Sequence, residues 1–227
     1  MSTTAKYWII GIIVVIALAA VAWLSLGSKN PFPVDAADHL SDWSIPVNID
    51  ASSTALFEAQ IVSLKGELGT TTVSAADIDV EIANAYLTLG QGQQAYQYYG
   101  KALTASSSES VAYLNLGALF ARLHATSTAL SAYTKAVAAA PSIELYQLSY
   151  LTYLAQVAPT ASSTAAAFEQ ADRALGSETS DYLIVRAEWE GSTGSTSAAI
   201  ADWEKVRTQV PPVQQAAIDA KIAQLRP

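Results

Sequence analysis

The sequence predicts an all-α chain: an N-terminal transmembrane helix, then an α-solenoid of about four helical hairpins, closed by a C-terminal capping helix. Three observations predict it. Residues 7–26 carry no charge over a length that matches a bilayer. The stretch 76–109 recurs, in its pattern of small and large side chains, 34 residues later over 110–143. The segments flanking that repeat carry apolar residues at helical spacing.

Residues 1–6 form a short tail holding Lys6. Residues 7–26, YWIIGIIVVIALAAVAWLSL, span about 30 Å as a helix, the thickness of a hydrocarbon core. Tyr7 and Trp8 lie near one end and Trp23 near the other, the depths that amphipathic rings prefer. In lipid the backbone must bond to itself, so even this β-branched run is helical. A cleaved secretory signal is the rival reading, with Lys6 as its positive region and Ala20-Val21-Ala22 as its small residues. The apolar run continues through Trp23, Leu24 and Leu26, beyond the ~7–15 residues of a signal core. A buried helix of a soluble domain is the third reading. Lys6 and the α-amino group precede the helix, which favours a cytoplasmic tail and an extracytoplasmic repeat domain.

Residues 27–50 contain Pro31, Pro33 and Pro46 with several aspartates, and read as a partly extended spacer lifting the domain off the membrane. His39 lies among Asp35, Asp38 and Asp42. One histidine with aspartates in a proline-flanked stretch reads as a solvated acidic turn, not a metal site.

Residues 51–227 form the repeat domain. With 76–109 laid over 110–143, Tyr86 falls on Phe120, Leu89 on Leu123, Ala95 on Ala129, Tyr99 on Tyr133, Ala102 on Ala136 and Leu103 on Val137. Ile82-Ala83 falls on Leu116-Gly117. Small residues at Ala83, Gly117, Ala95 and Ala129 let two helices approach closely, and the aromatics fill the space between them. The short stretches GQGQ and HATS are the hairpin turns. Residues 144–176 and 180–209 give two further helix pairs, with PTASST and GSTGST as lengthened turns that leave their register open. Residues 213–227 read as the capping helix, and residues 52–68 as one more amphipathic helix capped by Ser52 or Ser53. Thr104 to Ser110 and Ser162 to Thr164 suit side-chain capping at other helix ends.

Composition excludes several functions. The net charge is −8 and the twelve basic residues are scattered, so no basic face exists for nucleic acid. The absence of cysteine removes disulfides, thiol catalysis and thiolate metal ligation. No nucleophile elbow, HExxH or P-loop occurs, and Gly90-Gln91-Gly92 is a repeat turn with no strand before it. Glu188 and Glu190 point about 200° apart on a helix and make no acid–base pair. The chain reads as a non-enzyme, with no catalytic, cofactor-binding or metal residues.

The stretch AYLNLGALFARLHATSTALSAYTKAVAAAP, residues 112–141, resembles the tetratricopeptide repeat family. Tyr113 stands where that family often has Trp, and Leu116-Gly117, Phe120, Ala129, Tyr133, Ala136 and Pro141 follow in the expected places. The resemblance covers about two thirds of the chain. It implies a solenoid that binds a helix or an extended segment of another protein in a concave groove. Groove positions would be Asp77, Val80, Asn84, Leu87 and Thr88 in one unit, and Val111, Leu114, Ala118, Ala121 and Arg122 in the next. In the third unit Tyr146, Tyr150 and Tyr153 form one helical stripe, a spacing that also suits a packed core. The family's carboxylate clamp is not expected, because Val80 and Val111 stand at its basic positions and only Asn84 and Asn115 match. The expectation is a single-pass, membrane-anchored scaffold in an envelope, secretion or pilus-type assembly, with residues 7–26 in the membrane. A subunit that self-assembles through its solenoid or anchor, and a translocon-associated chaperone-like factor, are the alternatives.

Overall fold

The computed structural model describes residues 31–226, and the chain divides into two units, Met1–Pro33 and Val34–Pro227. The apolar segment 7–26 and its tail lie outside the described residues. Among the described residues no helix is long and apolar enough to cross a membrane.

Among the described residues ten α-helices follow one another: α1 (Ala51–Glu67), α2 (Ala75–Thr88), α3 (Gly92–Ala105), α4 (Ser110–Arg122), α5 (Thr126–Ala139), α6 (Glu144–Val157), α7 (Ser162–Leu175), α8 (Ser180–Ser192), α9 (Thr196–Gln209) and α10 (Pro212–Leu225). Pairs α2/α3, α4/α5, α6/α7 and α8/α9 are the hairpins, each with a first helix and a second helix that stack into an all-α solenoid.

The repeat is visible atom by atom. Gly117 of α4 faces Tyr133 of α5 so closely that a Cβ there would lie 2.6 Å from the ring. Ala95, Ala129, Ala102 and Ala136 are wholly buried, as close helix approach requires. Three hairpin turns close identically: the amides of Gln91, Ala125 and Ser195 donate to the carbonyls of Tyr86, Phe120 and Glu190 at 2.9, 2.9 and 2.8 Å. The residue just before each of these, Gly90, His124 and Gly194, has the left-handed φ that such helix ends use.

One register runs through all first helices, at i, i+4 and i+7. It holds Ile78, Ile82 and Ala85 in α2; Ala112, Leu116 and Leu119 in α4; Tyr146, Tyr150 and Tyr153 in α6; Tyr182, Arg186 and Trp189 in α8; and Ile218, Ile222 and Leu225 in α10. These positions face the preceding second helix. Tyr153 packs on Tyr133 of α5 (5.6 Å between ring centroids), and Trp189 stacks on Phe168 of α7 at 4.5 Å. Helix α1 occupies the same role ahead of α2, through Ile61 and Leu64 against Ile78, Ile82 and Ala85.

The later turns differ from expectation. The third spans only residues 158–161, because Ser162, Ser163 and Thr164 already belong to α7, and Pro159 in it accepts the Trp189 indole N–H at 2.7 Å. The fourth, residues 193–195, is as short as the first two, because α8 runs on to Ser192. Capping also departs from it. Asp50, not Ser52 or Ser53, caps α1 by accepting from the Ser53 amide and hydroxyl at 2.9 Å each. The cap positions of α4 and α7 are Glu109 and Ala161, without side-chain hydrogen bonds. Thr104 instead donates to the Gly100 carbonyl within α3.

The segment read as a free spacer is docked on the solenoid from Asp35 to Ile45. A 3₁₀ turn at Ala36–Asp38 presents the Asp38 carboxylate to the start of α5, where it accepts from the Ser127 and Thr128 amides at 3.0 and 2.7 Å and from the Thr128 hydroxyl at 2.5 Å. The Asp35 amide donates to the same hydroxyl at 2.9 Å. Trp43 then lies on Tyr96 and Phe120, with centroids 4.9 and 6.0 Å away. Ser44 pairs antiparallel with Gln91, and the Ile45 amide donates to the Gly90 carbonyl at 3.1 Å. Only glycine fits beneath this strap: a Cβ on Gly90 or Gly92 would meet the carbonyl oxygen of Ile45 or Trp43 at 2.4 Å.

Candidate protein-binding surface

The first helix of each hairpin presents one face to its partners and another outward. The outward residues of α4 and α6 share a register: Val111 and Leu145, Leu114 and Leu148, Ala118 and Thr152 are each 34 apart, and the two helices touch. Leu145 is 60% exposed and Val111 38%; Leu114 and Leu148 are half-buried. Ile143, just before α6, is 46% exposed. Exposed leucine and isoleucine side chains grouped on neighbouring helices are a common sign of a protein interface.

The expected groove residues divide into three groups. Leu87, Leu114 and Ala118 are half-buried on the outward side, and Arg122 is exposed. Val80 is buried, whereas Asn84 is exposed and bonded along the surface: its Oδ1 accepts from the Tyr99 hydroxyl at 2.6 Å and from the Asn115 side-chain amide at 2.8 Å. The third group is the tyrosine stripe, which is packing rather than groove. Tyr146 is buried with its hydroxyl 3.3 Å from Ser110 Oγ, Tyr150 packs on the cluster around Leu151 and Phe168, and Tyr153 rests on Tyr133. The physical reason is register: the tyrosines stand 34 residues after Ala112, Leu116 and Leu119, which are wholly buried. Carrying the same offset from Val111 and Leu114 points instead to Leu145 and to Leu148, the latter half-buried and also packed on the cluster around Leu151 and Phe168.

The densest group of charges lies at the fourth hairpin. Arg186, with its side chain 12% exposed, donates to both oxygens of Asp202 on α9 at 2.6 and 2.9 Å, to Asp172 on α7 at 2.5 Å and to Glu178 at 2.7 Å. Lys205 adds a contact to Glu178 at 2.7 Å. The hydrogen bond from Lys205, then that from Arg186, holds the Glu178 carboxyl below its usual range. Arg186 occupies a register position held by Ile82 and Leu116 elsewhere, so three elements are joined by charge where the other units use apolar packing. Glu190, one turn on, is the exception in this group: its Oε2 is buried with no partner. Burial, then repulsion from Asp202, pushes its carboxyl up to about 6. Asp79 of α2 is similarly placed, buried with one oxygen unpartnered, and burial raises its carboxyl against the pull of Lys101. Glu188 points elsewhere, 3.7 Å from Lys221.

Among the described residues no group of three or more His, Asp or Glu side chains stands together as a metal site. Asp38, beside His39, is taken up by the start of α5. Burial draws its carboxyl up, but the hydrogen bonds from Thr128 and Ser127 outweigh that and hold it below the usual range.

No family model matches the chain, and no curated protein matches it in sequence. Among solved structures it is similar to a thermophilic TPR protein of Thermus thermophilus, with 16% identity, a TM-score of 0.53, and coverage of 77% of this chain and 92% of that one. That likeness is one of fold, and it agrees with the hairpin geometry: the described chain is a tetratricopeptide-like α-solenoid.

Proposed function

We propose that the chain is a non-enzymatic, membrane-tethered scaffold that binds another protein along the outward face of its first helices, within an envelope, secretion or pilus-type assembly. The observation that carries the binding role is the apolar group Val111, Leu114, Leu145 and Leu148 on touching helices. Its chemistry suits an amphipathic helix laid across α4 and α6 in the concave groove. The tether rests on the uncharged segment 7–26 with its terminal aromatics. The slight excess of positive charge before that segment supports an extracytoplasmic solenoid.

Capture of partners by the tagged full chain from detergent-solubilised membranes tests the binding role. Leu145→Asp, with an unchanged melting temperature, is expected to abolish capture of a defined partner. Capture that survives both Leu145→Asp and Leu114→Asp would refute this face. Alkaline extraction and protease protection test the tether. Release of the full-length chain by alkali, or shielding of residues 51–227 on the cytoplasmic side, would overturn that part alone.

A further inference from the structure

The row that carries Val111 and Leu145 continues on both sides. One register earlier it reaches Asp77 in α2, and one register later Asp181 in α8. It therefore reads acid, apolar, apolar, acid across four first helices, each touching the next. The row one turn further along these helices holds Val80, Leu114, Leu148 and Ile184 and is apolar throughout.

Asp77 and Asp181 are exposed, and neither enters an ion pair among the described residues. By contrast Glu178, Asp202 and Asp219 each hold an arginine. Glu81, exposed and one turn on from Asp77, is a further unpaired carboxylate at the α2 end of the rows. The first turn of a helix ordinarily favours an acidic side chain, because its free amides carry partial positive charge. Asp77 and Asp181 follow that rule. Val111 and Leu145 occupy the same turn of α4 and α6, and both are exposed. The two middle helices thus forgo the favourable charge and present apolar surface to water. Nothing in the stability of either helix rewards that choice, whereas an apolar partner does.

Spacing fixes the shape of that partner. Axes of packed helices lie about 8–10 Å apart, so one step along the row is close to the ~10.5 Å that a helix rises in seven residues. Residues seven apart also lie on nearly the same side of a helix, drifting by only ~20°. A helix laid across the row meets the four first helices with four residues at seven-residue intervals. The end positions face unpaired carboxylates and the middle two face Val111 and Leu145. We infer that the occupant of this face is an amphipathic helix whose apolar centre is bracketed by two cations, Lys or Arg, about 21 residues apart. This rests on the binding face proposed above and names the chemistry of what it takes.

The probe is a labelled helical peptide with Lys, Leu, Leu and Lys at seven-residue intervals on an Ala/Gln background, each Leu followed by another three residues on to meet the second row. Counterparts carry Gln at both ends, or Lys at one end and Glu at the other in either order. Binding is read by fluorescence anisotropy against the full chain in nonionic detergent, with the Leu145→Asp chain as the blank. The Lys-ended peptide is expected to bind about fivefold or more tighter than the Gln-ended one at low salt, as two exposed ion pairs allow, and the gap is expected to close near 1 M salt. Asp77→Asn with Asp181→Asn is expected to erase the preference at an unchanged melting temperature. Asp181→Lys alone is expected to turn it toward one of the two mixed peptides, and carries the test if the double variant does not fold. Equal binding of the Lys-ended and Gln-ended peptides, lost in the Leu145→Asp chain, would overturn the cationic ends and leave the face standing. Binding that Leu145→Asp does not reduce would overturn the face itself, and the inference with it.

Discussion

Replacing Gly117 with alanine sets two effects of opposite sign against each other. In a helix interior alanine is favoured over glycine by about 1 kcal/mol through backbone entropy. Here the added methyl would stand 2.6, 2.7 and 2.8 Å from Cδ1, Cε1 and Cγ of Tyr133. That ring is buried and rests on Tyr153 at 5.6 Å, so its retreat would displace a second hairpin. Overpacking of this kind costs about 1–3 kcal/mol, and an overlap of a full ångström belongs at the upper end. The expected net loss is about 1–2 kcal/mol. Gly66 supplies the control, since a Cβ there meets nothing within 4 Å in α1. Gly66→Ala, near a helix end, is expected to gain about 0.5 kcal/mol. For a chain of this size 1 kcal/mol moves the melting temperature by about 2–4 °C. Far-UV circular dichroism melts of the full chain in one detergent would therefore show Gly117→Ala down by about 3–6 °C and Gly66→Ala up by about 1–2 °C. Equal shifts of the same sign would refute the claim that Gly117 exists to admit Tyr133.

Three further outcomes are expected. Arg186→Met leaves Asp202, whose side chain is 6% exposed, with only the longer Lys205 contact at 3.6 Å, and should cost about 3 kcal/mol in a urea titration; Asp202→Leu added to it should recover at least about half of that. Glu190 holds its proton more tightly folded (about 6) than at its ordinary 4.5, so its contribution to stability is fully present below 4.5 and is lost as pH rises through 6. Glu190→Gln should flatten that slope and raise stability at neutral pH by on the order of 1 kcal/mol, read from melts across pH. Asp38→Asn weakens the hold of the strap on α5 by about 1–2 kcal/mol, seen as faster hydrogen exchange at the Thr128 and Ile45 amides. In the parent chain the carboxyl is lowered, so docking is expected to persist as pH falls through the usual carboxylate range and to fail only below it.

The repeat is legible because close helix packing restricts residue size, and size survives in letters: Ala83, Gly117, Ala95, Ala129 and the tyrosines after them mark the seams directly. Turn lengths are harder, since Ser162, Ser163 and Thr164 look like loop residues yet begin α7. The tyrosine stripe of α6 is misplaced by periodicity alone, which gives a face but not which neighbour the face meets. The unbroken offset of 34 from Ala112 resolves it. The strap is hidden from sequence reasoning because its hold is non-local: Asp38 caps a helix some 90 positions away. Its one local trace is the alternation Trp43, Ile45, Val47, the signature of a chain that pairs along an edge. Arg186 and Asp202 sit on different helices, and no spacing rule within one helix joins them.

Stacked arrays normally couple only nearest neighbours, so either end frays without regard to the other. Here a ribbon from the front of the chain is buttoned to α5 and stitched to Gly90, bridging the first two hairpins before α1 has begun. Loosening α4 and α5 must undo that fastening, and undoing it uncovers Trp43, Tyr96 and Phe120 together. The front half of the molecule should therefore melt as one block, with its boundary near Ala140. Behind that boundary the last two hairpins have no such fastening and rely on their own cores around Phe168 and Trp203, on the Tyr133–Tyr153 contact and on the charges around Arg186.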